Sequence, residues 1–142
     1  AMKKKVAALL LGLCCISVMS VPVSADTITF TLTLHHGGGS VGEPDDALSR
    51  KVLKNTDGDT KFWITQTSFN NHGNQNGMIK AYSQITGQDY KSEGYIPLRA
   101  GRNEITTRAS YGWSYIPGGI YYNIISEFGG GSINNATGRY TP

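Results

Sequence analysis

The segment TITFTLTL, Thr27 to Leu34, alternates without a break: Ile28, Phe30, Leu32 and Leu34 fall on one side, Thr27, Thr29, Thr31 and Thr33 on the other. A period of two marks a strand with one face in a core and the other turned outward, and β-branched residues suit that pleated surface. Such a strand is stable only when a second apolar layer covers it. Similar short runs recur at Ser49 to Lys54, Lys61 to Phe69, Met78 to Ile85, Asn103 to Ala109, Ile120 to Ser126 and Gly138 to Thr141. Between them lie NTDGD, NNHGNQNG, TGQD, RAGRN, IPGG and GGGSINN, rich in residues that preset turns or accept positive φ. This spacing leaves little room for crossover helices. It predicts an all-β chain, a small antiparallel β-sandwich of about seven short strands, with a barrel as the alternative. Only EPDDALSRKVL reads as a helical turn, with Asp45 or Asp46 as the cap ahead of Leu48.

The residues ahead of the first strand have a different character. Lys3, Lys4 and Lys5 precede an apolar run from Val6 through Val21, then Pro22 and the small-residue sequence Val23-Ser24-Ala25. That order predicts a cleavable signal helix over residues 1–25, handled by the Sec machinery and signal peptidase, and a single secreted β-sandwich domain over residues 26–142. The apolar run is shorter than the roughly 20 residues of a membrane span. The remainder is of single-domain length.

Charge and cysteine follow the same division. The chain carries 13 Lys and Arg against 10 Asp and Glu, and the three leader lysines account for the whole net charge of +3. A balanced domain has no electrostatic hold on nucleic acid, so nucleic-acid binding is not expected. Cys14 and Cys15 both lie in the leader, leaving the domain without a disulfide and dependent on apolar packing. Leu13 ahead of Cys14 is too large for lipoprotein processing.

Several motifs imitate chemistry. His36-Gly37-Gly38-Gly39 resembles a lipase oxyanion loop, and Gly38-Gly39-Ser40-Val41-Gly42 a nucleophile elbow. In a hydrolase these elements face each other across the acyl carbon, whereas here they share the same residues, and one tripeptide cannot stand on both sides of a carbonyl. No enzyme is expected and no catalytic residue is assigned. His35, His36 and His72 are the chain's histidines; adjacent His35 and His36 point to opposite faces of a strand, so only one could join His72, and two ligands make a poor zinc site. Asn55, Asp57 and Asp59 open like a calcium loop, but Thr60 stands where Gly is needed and Gln66 where a bidentate Glu is needed. A hairpin turn on Asp57-Gly58 explains them without a metal. No metal or cofactor is expected. Asn135-Ala136-Thr137 matches a glycosylation sequon by chance.

The aromatic residues exceed what a small core needs. Trp63, Trp113, Tyr115, Tyr121 and Tyr122 are accompanied by Tyr82, Tyr90, Tyr95, Tyr111 and Tyr140. If Phe62 and Ile64 face the core then Trp63 faces outward, and of adjacent Tyr121 and Tyr122 one points in and one out. Trp63, Trp113, Tyr115, Tyr121 and Tyr122 form the candidate ligand-binding patch, a platform for sugar rings or a partner surface; the alternative is that these rings cover sheet edges.

The lysine-led leader Lys3 to Ala25, the closing NNATGRYTP and the run of polar strands resemble small secreted proteins of Gram-positive bacteria. The likeness is to lactococcin-type β-sandwich bacteriocins and a related uncharacterised family encoded beside bacteriocin-type transporters. Those families often end on a Trp where this chain has Tyr140. The resemblance implies a non-enzymatic exported protein acting at a cell envelope, and it carries over no site residues. The expected function is therefore a secreted binding protein for an envelope component, a glycan, membrane or surface protein, with a bacteriocin-like effector included. A carbohydrate- or wall-binding module using Trp63, Trp113 and Tyr115 is the alternative. Mass spectrometry of protein collected outside the producing cell is expected to find Asp26 as the first residue.

Overall fold

The computed structural model describes residues 26–35, 46–72, 76–130 and 133–142. Residues 1–25, expected to be a signal helix, and residues 36–45, with the HGGGS motif from His36 to Ser40, lie outside the described residues. Nine strands follow in order: β1 (Ile28–His35), β2 (Asp46–Leu48), β3 (Val52–Lys54), β4 (Lys61–Asn70), β5 (Met78–Ile85), β6 (Ile96–Arg99), β7 (Thr106–Ser110), β8 (Ile120–Gly130) and β9 (Ile133–Thr141). They form two antiparallel sheets, and no helix occurs among the described residues. The first sheet has the order β1-β9-β4-β7. The second has β2-β8-β5-β6, with β3 also on β8. Leu48 pairs with Ile125 and Val52 with Tyr122, so β2 and β3 lie end to end along one edge of β8.

Each sheet buries one face. Phe30, Leu32 and Leu34 of β1, Phe62 and Ile64 of β4, and Ala136 and Tyr140 of β9 join Ile79, Ala81 and Ile85 of β5, Ile96 and Leu98 of β6, and Tyr122 and Ile124 of β8 in a single core. The threonines of β1 face outward, as the alternation predicts. The backbone comes close to its neighbours at Gly138 on central β9, where a Cβ would overlap the Thr65 carbonyl and the Phe30 ring. Only glycine fits there.

Polar side chains cross-link the sheets inside the core. Ser83 of β5 hydrogen-bonds the Tyr140 hydroxyl at 2.6 Å and donates to that of Tyr111 at 3.2 Å. Buried Gln66 of β4 acts as a substitute strand: its Nε2 donates to the Arg99 carbonyl and its Oε1 accepts the Arg99 N–H, both at 2.9 Å. Lys54 is wholly buried at the end of β3, and its Nζ donates to the Pro142 carbonyl at 3.1 Å. The rings of Tyr111 and Tyr122 flank it, at 5.6 and 6.0 Å.

Four expectations need correction. The helical turn at EPDDALSRKVL is replaced, from Asp46 to Leu48, by strand β2, because pairing with β8 satisfies backbone groups that one isolated turn would leave open. β6 was not foreseen, since Pro97 argues against a strand; it is tolerated because β6 is a sheet edge. β9 runs from Ile133 rather than Gly138, because its inward residues Asn134, Ala136 and Gly138 are too small or polar to show an apolar period. Asp57-Gly58 is a turn with Gly58 at φ 77°, but it carries the chain from one sheet to the other instead of closing a hairpin. The added strands bring the number from about seven to nine.

Two outcomes follow from the buried polar groups. Replacing Gln66 with Met keeps the volume but strands the Arg99 backbone groups, and is expected to cost about 2 kcal/mol in urea unfolding. Burial lowers the Lys54 amine below its ordinary 10.5, despite the opposing charge of Asp59. Across that window the unfolded chain holds more protons, so stability rises with pH. Burial raises the phenols of Tyr111, Tyr122 and Tyr140 above their ordinary 10.0. Above that pH the unfolded phenols ionise first, so stability falls. Denaturation across pH 7 to 12 should show both limbs; Lys54→Met should flatten the rise, and Tyr140→Phe should weaken the fall.

Candidate functional site

The aromatic residues singled out from sequence do not come together. Trp63 is half-buried on the outer face of the first sheet, in register with Arg108 and Thr141. Trp113 packs against Tyr90 and Tyr111, with ring centroids 5.2 and 5.0 Å apart, and its Nε1 donates to the Lys91 carbonyl at 3.3 Å. Its ring is partly buried and packs against the core. Tyr122 is fully buried and its hydroxyl donates to the Pro117 carbonyl at 2.6 Å, which leaves no ring face for a ligand. Tyr115, 63% exposed, sits on the loop between β7 and β8. Tyr121, 48% exposed, projects from the outer face of the second sheet. Trp63 and Tyr121 thus stand on opposite outer faces. Among the described residues no group of three His, Cys, Asp or Glu could hold a metal. His72 engages Asn135 through Nε2 at 2.8 Å.

A cleft does form beside Tyr121. The β2–β3 edge is interrupted at Ser49 to Lys51, opposite Asn123 of β8, and a cavity of about 480 Å³ opens along the interruption. Leu48, Ser49 and Lys51 line one side, and Thr86, Gly87, Gln88 and Asp89 of the turn after β5 line the other. The floor is Gln84, Asn123 and Ile125. Gln84 and Asn123 are cross-strand partners, which points both amides outward side by side. Tyr121 adjoins this cleft: its carbonyl accepts the Thr86 N–H at 2.9 Å, and Lys51 Nζ lies 4.7 Å from the centre of its ring.

The amides are only 7% and 5% exposed and are locked by a relay. Thr86 Oγ1 donates to Asn123 Oδ1 at 2.9 Å, Asn123 Nδ2 donates to Gln84 Oε1 at 3.3 Å, and Gln84 Nε2 donates to the Gln88 carbonyl at 2.6 Å. A second Asn123 Nδ2 hydrogen goes to the Ile124 carbonyl at 3.2 Å. The relay fixes which end of each amide is donor and which acceptor, and it holds both rotamers before any ligand arrives. Farther along the same face, Tyr82 is the cross-strand partner of Ile125 and packs against Tyr95 at 5.5 Å. Lys91, ion-paired with Glu127, covers the Tyr82 ring at 4.3 Å.

Sequence reasoning missed Gln84 and Asn123. The available signal was an amide residue beside tyrosine and isoleucine in each of two strand segments, YSQI and YYNI, where Asn is disfavoured. Their meeting depends on the β5–β8 register, which no local pattern encodes. Comparison with protein-family models gives no match, and neither curated proteins nor solved structures give one.

Proposed function

We propose that this protein is an exported, non-catalytic binding protein acting at a cell envelope, and that the cleft on its second sheet holds a glycan there. In this reading the two facing sheets are the frame of a small β-sandwich. The observation that carries the proposal is the locked Thr86-Asn123-Gln84-Gln88 relay lying beside the exposed Tyr121 ring. Sugars present many hydroxyls of fixed direction around an apolar ring face. Oriented amides match the hydroxyls, and a tyrosine matches the ring face. The volume is within the range of small-molecule sites. Amides and hydroxyls neither take nor release protons near neutral pH, which favours recognition over acid–base chemistry.

The test is retention of purified protein on insoluble peptidoglycan or polysaccharide. Tyr121→Ala is expected to weaken retention about fivefold, the loss of roughly 1 kcal/mol of ring contact, while Tyr121→Phe keeps it. Trp63→Ala, on the opposite face, should bind like the parent. Trp113→Ala should unfold more easily rather than bind selectively worse. Growth inhibition of a sensitive bacterium without any glycan retention would assign the protein to bacteriocin-like effectors instead.

A further inference from the structure

The cleft carries more information than an affinity for sugars. The hydrogen bonds within the relay leave one hydrogen on Gln84 Nε2 and one lone pair on Asn123 Oδ1. A donor and an acceptor therefore stand at the two ends of the amide pair, with the Asn123 Nδ2–Gln84 Oε1 hydrogen bond between them, an opposed arrangement like that of the C=O and N–H of a trans amide. Beside them, Leu48 and Ile125 are cross-strand partners that form an apolar step. Leu48 is 63% exposed and lines the cleft, so its side chain is open to a bound group.

A hydroxyl group uses only part of this arrangement. It could engage either amide, but it has nothing to place on Leu48. An acetamido group uses all of it: its carbonyl accepts from Gln84 Nε2, its N–H donates to Asn123 Oδ1, and its methyl covers the Leu48–Ile125 step. The sugar ring bearing that group then extends toward Tyr121. Resting on the glycan-binding reading above, we propose that the cleft selects N-acetylated amino sugars, with Gln84, Asn123 and Leu48 as the specificity-determining residues.

The inference is tested by competing the retained protein off its polysaccharide with three soluble trisaccharides: N-acetylglucosamine trimer, the same trimer without acetyl groups, and cellotriose. The N-acetylated trimer is expected to compete about tenfold or more better than either of the others, the worth of one hydrogen bond and a buried methyl. Asn123→Ala and Gln84→Ala should erase that preference. Because buried amides also support the sheet, Leu48→Ser supplies the independent check: its side chain is exposed, so folding should be kept while the acetyl preference narrows. Equal competition by cellotriose, or an unchanged preference in Leu48→Ser, overturns the N-acetyl assignment but leaves glycan binding standing. Absence of retention on any glycan overturns both.

Discussion

The hydrogen bond between the Ser83 and Tyr140 hydroxyls is the tie on which the arrangement of the two sheets depends. It sits inside the core and links β5 of one sheet to β9 of the other, and the Tyr111 hydroxyl joins it. With no cysteine anywhere in the described residues, nothing covalent aligns the layers. Apolar packing supplies the drive to associate but is non-directional. A buried hydroxyl left unpaired costs far more than a slipped methyl contact, so this small network picks one alignment from several of similar apolar area. Gln66 repeats the device at the β6 end by pairing with the Arg99 backbone as a neighbouring strand would.

Once that alignment is set, the outer faces acquire different chemistry. The first sheet presents threonines that bond one another across strands, Thr65 with Thr106 and Thr67 with Thr137 at 2.7 and 2.8 Å. Their hydrogen-bonding capacity is partly spent within the sheet. The second presents amides, tyrosines and lysines, and its edge is interrupted at Ser49 to Lys51. An uninterrupted edge strand would cover the flank of Asn123, so the cleft exists because β2 and β3 do not merge. Lys54 and the tyrosines beneath belong to the support of this face, since β3 and β8 carry both the buried Lys54 and Tyr122 and the exposed Tyr121.

Much of the fold was legible because a period of two survives in β1, β4 and β5, where inward residues are large and apolar. It was illegible in β9, whose inward Asn134, Ala136 and Gly138 show no large apolar residue; at Gly138 the Phe30 ring and the Thr65 carbonyl leave no room for a side chain. β6 was hidden by Pro97, a residue whose meaning depends on whether a strand is central or at an edge. At the site, adjacency alone told that Tyr121 and Tyr122 face opposite ways, though not which faces out. Trp113 read as a ligand platform and proved to be packed on Tyr111, because a loop aromatic has no periodicity to show its direction. The Gln84–Asn123 pair required a register between strands about forty residues apart, information that is long-range by nature.

The pairing of β1 with β9, Ile28 with Tyr140 through His35 with Ile133, bears on the order of assembly. The first sheet is completed only by its last strand, which lies between β1 and β4 and supplies neighbours to both. β4 and β7 can pair before it, but β1 has no partner in that sheet other than β9, so the long loop from β1 must close before that strand is hydrogen-bonded there. Without β9 the second sheet has all its strands while the first holds only the β4–β7 pair, so the two layers differ in how far their pairing reaches along the chain.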